Sequence, residues 1–377
     1  MKYELKNEIY SINDNLAVNT LVVGFATKIS TDEILLNLNN IKELVPLLTM
    51  KLVENNSNYY FESTSNPFDY KLDICDNVNT WIVNQFKKPL DIFNGEFLRL
   101  ALYNENSLVV FAHSIITDSR GLINFAKALL IGADSFDYKY TENKNEKLNL
   151  INKLKANRLK KLECCDEVQE KQTKLKVKKI GMKSNIVYSL CGGAGISTLS
   201  FFLTIALSLN KTVRKSIKIP FCIKAADNDI LVNDTYNIKF KRGLEPRLSF
   251  YDNAGEIDKL FKSYIKKQPY LQQNEILNQV PSNLKAYPTK NIEYLKYLQS
   301  ELYLDVLPSV DDDEIIRTMQ YYPSSSFYNN GFGICLVDDK ITICSILHNE
   351  ESEKLFSEYQ RTINLISKNS DSVINEK

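Results

Sequence analysis

The chain has 377 residues, enough for two compact lobes, and 44% hydrophobic and 25% charged residues are ordinary values for a globular protein. A formal net charge of +1 gives no reason to expect binding to nucleic acid or to an anionic membrane. No stretch approaches the ~20 apolar residues of a membrane helix, and the N-terminus lacks the apolar core of a signal peptide. We therefore expect a cytoplasmic protein that contacts neither nucleic acid nor membrane.

The cysteines indicate a reducing compartment. They stand at positions 75, 164, 165, 191, 222, 335 and 344, so their number is odd and no Cys-x-x-Cys pair occurs. Only two histidines accompany them, and no cluster of soft or imidazole ligands suits a metal ion. We expect free thiols and no metal site.

Local signals mark the first elements of the chain. Residues 16–29 alternate loosely and are rich in Val, Thr and Phe, which predicts a strand. Ser30 and Glu33 have the spacing of a capping box, so a helix should begin there and end before Pro46. Apolar runs on either side of residues 55–58 predict a hairpin.

Residues 89–103 predict a tight turn followed by a strand. Asp91 can cap the turn, and Gly95 gives it a permissive backbone. From Phe97 onward the side chains alternate as they do in a strand.

The most informative stretch is residues 108–121. Leu108 to Ala112 is a continuous apolar run, typical of a strand covered on both faces. It leads into the heptapeptide His-Ser-Ile-Ile-Thr-Asp-Ser, which begins at His113, and then into a segment with one apolar helical stripe. A histidine at the end of a buried strand stands where reactive groups are often displayed.

These two blocks, in this order and spacing, resemble the chloramphenicol-acetyltransferase-like superfamily, closest to the condensation domains of nonribosomal peptide synthetases and related stand-alone acyltransferases. The hallmark of that superfamily is His-His-x-x-x-Asp-Gly at a strand end. His113 and Asp118 match its first His and its Asp, whereas Ser114 stands in place of the second His and Ser119 in place of the Gly. The resemblance implies an α/β fold of two lobes, each a mixed sheet with helices, that form a V around a central tunnel.

The resemblance also implies roles for three candidate catalytic positions, His113, Ser114 and Asp118. The family's second His is the general base, so Ser114 leaves this chain without one. The family's first His and its Asp are structural, and an interior arginine such as Arg99 would suit Asp118 as an ionic partner. Strand alternation should turn Ser114 toward the tunnel and His113 away from it, unless a bulge re-aims His113 as a replacement base.

We expect three segments along the chain. Residues 1–145 would form the N-terminal lobe with the altered motif, and residues 181–377 the C-terminal lobe. Residues 146–180 are dense in Lys, Glu and Asn, which indicates a solvated connection between the lobes; a basic docking surface for an acidic carrier protein is the alternative.

The C-terminal lobe should begin with a glycine-rich loop at residues 191–195 that opens a helix capped by Ser197 or Thr198. Such a loop can cradle a phosphate, although no Lys-Ser/Thr pair follows it. Strands are predicted near residues 216–223 and 236–240, a helix up to Lys267, a hairpin over 333–347 and a closing helix. Residues 324–333 precede that hairpin and correspond to the family's lobe contact, or form a plain loop.

By resemblance, the function is transfer of an acyl group from a coenzyme A or carrier-protein thioester to an amine or hydroxyl acceptor, as in nonribosomal peptide biosynthesis. No bound cofactor is expected; coenzyme A or phosphopantetheine would enter as the thioester co-substrate. The partners would be an acyl or peptidyl carrier protein and a small-molecule acceptor. The alternative is a catalytically degenerate member that binds a carrier protein or another partner. Ser114 favours the alternative, and an open tunnel would favour the enzyme.

Overall fold

Most of the chain falls into regular elements. The computed structural model describes residues 2–5, 11–55, 58–138, 175–209, 216–222, 230–231, 235–240, 243–267, 300–310 and 315–374. In these ranges the chain forms three β-sheets and seven α-helices.

The first of the two larger sheets has five strands. In spatial order they are β12 (Ile316–Ser324), β2 (Val18–Phe25), β7 (Ser107–His113), β6 (Leu98–Tyr103) and β5 (Leu72–Ile74). All neighbouring pairs are antiparallel except β5 and β6, so the sheet is mixed.

The second larger sheet has six strands. In spatial order they are β10 (Thr235–Phe240), β9 (Ile217–Cys222), β11 (Ser300–Val306), β13 (Tyr328–Val337), β14 (Lys340–Leu347) and β8 (Lys176–Lys183). Strand β11 runs parallel to both β9 and β13, and the remaining pairs are antiparallel. Both larger sheets are therefore mixed, as the family resemblance implies.

The helices flank these sheets. They are α1 (Thr31–Leu44), α2 (Val78–Phe86), α3 (Ser119–Ile131), α4 (Ser184–Ala194), α5 (Thr198–Ser208), α6 (Phe250–Lys267) and α7 (Glu350–Ile374). A small third sheet joins β1 (Lys2–Leu5), β4 (Asn58–Ser63) and β3 (Met50–Asn55).

Each larger sheet buries its own core. Helices α1 and α3 share a core with one face of the first sheet, and Trp81 and Phe86 of α2 pack edge-on against Phe111 on the opposite face. Strand β7 is therefore covered on both sides, which accounts for its continuous apolar run. Helices α4 to α7 cover one face of the second sheet.

Strand β12 joins the two halves of the molecule. It comes from the C-terminal half of the chain but pairs with β2 from Ile316↔Phe25 to Ser324↔Val18, as an edge strand of the first sheet. Its backbone also crosses the face of β13 at two glycines. A Cβ added to Gly333 would clash with the Tyr321 carbonyl oxygen, and one added to Gly331 would clash with that of Pro323. These glycines let the two sheets meet through backbone atoms.

Several local predictions are confirmed. Ser30 and Glu33 form the capping box of α1. Asp91 caps a short 3₁₀ turn over Ile92–Asn94, and Gly95 ends that turn with a positive φ of 87°.

The glycine-rich loop at residues 191–195 is a wrong prediction. Cys191 to Ala194 are the last turn of α4, and Gly195 terminates this helix in the left-handed conformation. The next helix is capped by the Ser197 side chain, which accepts from the Ser200 backbone N–H and whose own hydroxyl lies 2.6 Å from Asp258 Oδ1. The segment is a helix–helix corner, and a phosphate cradle has no support there.

The charged connection falls largely on residues 139–174, which lie outside the described residues. Strand β8 begins at Lys176 and pairs with β14, so the last part of the segment belongs to the second sheet. The division at 146–180 stays a prediction.

Two further expectations concern membranes and thiols. No single helix in the described ranges is long and apolar enough to cross a membrane; α4 and α5 reach that length and hydrophobicity only as a pair, which is bent by 95°.

Four cysteines, Cys75, Cys191, Cys335 and Cys344, are buried free thiols, as expected for them.

The crossing of β12 over β13 gives a testable prediction. Gly333→Ala should lower the free energy of unfolding by about 1–3 kcal/mol, because the new methyl group must displace the Tyr321 backbone. Thermal and urea denaturation would measure the change. The matched control is Gly192→Ala in α4, where no atom lies within 4 Å of the added Cβ. Equal stability of the two variants would show that the sheets do not depend on this contact.

Candidate active site

The motif segment begins where β7 ends, at His113, and a short turn leads from there into α3. The Ser114 backbone N–H donates to the Ala17 carbonyl (2.9 Å), just before β2 begins. The Asn19 side-chain amide donates to the Thr117 carbonyl (2.9 Å). The neighbouring strand therefore holds both ends of the turn.

His113 lies in the core. Its side chain is 4% exposed, and its Nδ1 accepts a hydrogen bond from the Ile115 backbone N–H (3.2 Å). Burial lowers the pKa of His113 to about 3. The imidazole is therefore uncharged at neutral pH, with one ring nitrogen already occupied by the turn that follows it.

A cavity of about 70 Å³ opens beside this turn, where the two larger sheets meet. The first sheet and its loops contribute Ser11, Ala17, Asn19, Ser114, Thr117, Asp118, Ser119, Tyr321, Ser324 and Ser325. Lys218, Asn237, Tyr303, Phe327 and Tyr328, from the second sheet and the turn before it, complete the lining. All of these except the alanine and the phenylalanine carry a polar side-chain group, which suits a polar reaction centre better than a lipid site.

Ser114 is one of the lining residues and His113 is not. The structure thus places the two residues as strand alternation predicts, with the altered position toward the cavity. A serine hydroxyl can donate or accept a hydrogen bond, but it cannot act as a base without a neighbouring group that takes its proton.

Asp118 also lines the cavity, and it caps α3. Its side chain is 8% exposed, and Oδ1 accepts from the Gly121 backbone N–H (2.9 Å). The positive end of the helix favours a carboxylate at this position. The expected partner Arg99 is a wrong prediction, because its guanidinium binds Glu96 instead (Nε–Oε1 2.7 Å).

A second carboxyl, Asp14, binds the lining residue Ser325 from outside the cavity and was not predicted. It accepts from the Ser325 hydroxyl (2.7 Å), the Ser326 backbone N–H (2.9 Å) and the Leu16 backbone N–H (3.0 Å). Burial raises its pKa despite these hydrogen bonds. The loop before β2 and the turn after β12 are therefore tied together, which places Ser325 in the wall.

A third carboxyl, Asp305 of β11, lies behind the wall and was also not predicted. Its side chain is 5% exposed, and within the described part of the chain its Oδ2 has no hydrogen-bond partner. Burial raises the pKa of Asp305 to about 7, and the negative charge of Asp118 contributes to the rise. The Ser119 hydroxyl and the positive charge of Arg120 act in the opposite direction. Asp305 can therefore gain or lose a proton near neutral pH.

Tyr321 is next to Asp305 and is oriented by the first sheet. Its hydroxyl donates to Asn19 Oδ1 (2.7 Å), and the Asn19 amide is itself oriented by its bond to the Thr117 carbonyl. A phenol turned toward Asp305 would lower the pKa of that carboxyl. Burial outweighs this contribution, so the pKa of Asp305 stays raised.

The other histidine is buried as well. His348 is 7% exposed, and burial lowers its pKa to about 4. Neither histidine is among the described residues that line the cavity. In the same ranges no group of His, Cys, Asp and Glu could hold a metal ion.

Comparisons with known proteins show the fold. No protein-family model matches the chain, and no curated protein sequence matches it. The first condensation domain of the calcium-dependent antibiotic synthetase, in complex with a substrate analogue, has a TM-score of 0.68 at 8% identity over 98% of this chain and 96% of that chain.

Two further structures cover nearly the whole chain. Polyketide synthase associated protein 5 from Mycobacterium tuberculosis has a TM-score of 0.61 at 10% identity over 99% of this chain and 100% of that chain. A starter condensation domain of rhizomide synthetase, in complex with C8-CoA, has a TM-score of 0.61 at 10% identity, over 97% of this chain and 90% of that chain. The chain therefore has the two-lobed α/β fold of condensation domains, the chloramphenicol-acetyltransferase-like fold that its motif indicates.

Proposed function

We propose that the chain transfers an acyl group from a thioester, on coenzyme A or on a carrier protein, to an amine or hydroxyl acceptor. The observation that supports this most strongly is the position of the altered motif: Ser114 and Asp118 both line a polar cavity where the two sheets meet. The similar structure that holds C8-CoA makes coenzyme A a reasonable donor. The expected location is the cytoplasm, and the expected context is nonribosomal peptide or polyketide biosynthesis.

The cavity supplies groups that this reaction needs. The acceptor's lone pair attacks the thioester carbonyl, the carbon–sulfur bond breaks, and the thiol leaves. Negative charge develops on the carbonyl oxygen, where a hydroxyl donor such as Ser114 and a cation such as Lys218 would stabilise it. The cavity also positions the two reactants, which lowers the entropic part of the barrier.

A second function has one observation in its favour. The imidazole that the superfamily uses as general base is replaced by Ser114, and His113 is buried and uncharged. A member without a base would bind a carrier protein or another partner without catalysis. The proposed carrier-docking role of the charged connection falls mostly on residues outside the described ranges.

A transfer assay separates these two functions. The full chain would be incubated with acyl-coenzyme A donors of several chain lengths and a panel of amines and alcohols, with release of free thiol as the signal. Mass spectrometry would identify the acylated acceptor. Acceptor-dependent thiol release supports the enzyme. Binding of an acylated carrier protein without transfer to any acceptor supports the binding module.

The variant Ser114→His should raise the transfer rate by ~10²–10⁴-fold, because it places an imidazole at the position where the superfamily carries its base. Initial rates at saturating donor would measure the gain. The control Ser357→His adds the same side chain to the exposed surface of α7 and should leave the rate unchanged. No gain in a folded Ser114→His variant would mean that the reaction does not use an imidazole at this position as its base.

A different outcome is expected for His113→Ala. Because His113 is buried and bonded to the Ile115 N–H, its loss should cost about 1–3 kcal/mol of folding free energy, a few degrees in melting temperature. The rate per folded molecule should change little. His348→Ala is the comparison, since its ring nitrogens have no partner among the described residues and only the packing is lost. Turnover that vanishes in His113→Ala at an unchanged melting temperature would identify His113 as the base.

A further inference from the structure

We propose that Asp305 is the proton acceptor of this site and acts through the hydroxyl of Ser119, in place of the imidazole that the motif lacks. This inference rests on the proposed function. It assigns the relay of the proton to Ser119, which stands at the cavity, and the final uptake of the proton to a residue of the opposite sheet.

The register of β11 turns Asp305 toward the site. Leu302 and Leu304 face the core beneath the helices, whereas Tyr303 and Asp305 point to the opposite face, and Tyr303 lines the cavity. Directly across from Asp305 on β13 is Gly333, where the β12 backbone crosses. The carboxyl therefore lies where β11, β12 and the start of α3 converge.

Ser119 stands between this carboxyl and the cavity. It lines the cavity as the first residue of α3, and it is close enough to Asp305 for its hydroxyl to lower the pKa of that carboxyl. Oδ2 of Asp305 still lacks a partner in the described part of the chain, so it has capacity for a proton or a hydrogen bond. Hydrogen bonds between catalytic groups are often loose before the substrate binds.

The groups around Asp305 come from every element packed on it. Asp118, Ser119 and Arg120 approach from the start of α3, and Tyr321 from β12. The buried thiol of Cys335, on β13, faces it as well, and its pKa is raised well above the usual value, so it stays protonated. The negative charge of Asp118 raises the pKa of Asp305 and the positive charge of Arg120 lowers it, while burial is the largest cause of the rise to about 7.

The proposed step balances without any further reactant. As the acceptor's lone pair forms the new bond to the thioester carbonyl carbon, its proton passes to the Ser119 oxygen and the Ser119 proton passes to Asp305. When the carbon–sulfur bond breaks, the leaving thiolate takes the proton back from Asp305 by the same route. The products are the acylated acceptor and a free thiol.

A purely structural role of Asp305 has different consequences for stability and for the pH dependence of the rate. A buried carboxyl between two sheets can contribute only to stability, and its replacement would then change the melting temperature without changing how the rate depends on pH. The pH profile of the reaction is the measurement that a structural role does not affect.

The test compares the full-length chain with Asp305→Asn in the thiol-release assay between pH 5 and 9. For the wild type, kcat/KM should rise about tenfold per pH unit up to about pH 7 and then level off. Asp305→Asn should lower the plateau by ~10²–10⁴-fold and remove the rise, and Ser119→Ala should lower it too. The control Asp258→Asn removes a buried carboxyl of α6 that binds Ser197 and Ser200 at the start of α5, and it should leave the profile unchanged.

A second readout shows whether Asp305 holds its proton in the folded chain. An unfolded aspartate releases its proton near pH 4, whereas folded Asp305 retains it to about pH 7. The contribution of Asp305 to the free energy of unfolding is therefore fully present below pH 4 and is lost as the pH rises from 4 to 7. The melting temperature of the wild type should fall in this window relative to Asp305→Asn, and Asp14 contributes equally to both.

The outcomes are distinct. Loss of the rise and of the plateau in a folded Asp305→Asn variant supports the inference. An active wild type whose pH profile is unchanged by Asp305→Asn overturns the inference and leaves the proposed function standing. A wild type without transfer to any acceptor overturns the proposed function, and the inference with it.

Discussion

The arrangement of the two halves depends on the close approach of β12 to β13. The backbone of β12 lies so close to Gly331 and Gly333 that a side chain at either position would clash with one of its carbonyl oxygens. One face of β12 is thereby fixed against the second sheet while its edge pairs with β2 in the first. This crossing positions the part of the cavity wall that β12 and the turn after it contribute, which consists of Tyr321, Ser324 and Ser325.

The motif divides its residues among three tasks. His113 belongs to the core and holds the following turn, while the Asp118 side chain accepts from the Gly121 backbone N–H in the first turn of α3. Ser114 is left to face the cavity, with a side chain that can donate a hydrogen bond but cannot take a proton at neutral pH. Ser114 therefore needs a neighbouring group to take its proton. Asp305, to which we assign the uptake of the proton through Ser119, is separated from the motif by more than 180 residues of sequence.

Features that arise from neighbours along the chain were predictable. The capping box at Ser30 and the turn ending at Gly95 depend on residues a few positions apart, and both were found where predicted. The buried strand β7 was recognisable because burial on two faces leaves a continuous apolar run. The loop predicted at residues 191–195 was wrong, because a glycine-rich segment can end a helix as readily as it can form a loop.

Features that arise from distant contacts were not predictable. Strands β11 and β12 were not predicted, and their partners are set only when the sheets assemble. The raised pKa of Asp305 has its cause in burial and in the charge of Asp118, which belongs to the other half of the chain. A sequence pattern records the identity of an aspartate, but not the desolvation that changes its proton affinity.

The pairing of β12, from the C-terminal half of the chain, with β2 of the first sheet has a consequence for the order of folding. During synthesis, the N-terminal half emerges with β2 as an edge strand, and the hydrogen bonds of that edge stay unpaired until residues 316–324 leave the ribosome. Until then, that edge is a template on which another nascent chain can pair. The two halves are therefore not separable folding units, and the nascent N-terminal half is the species that a chaperone would need to protect from aggregation.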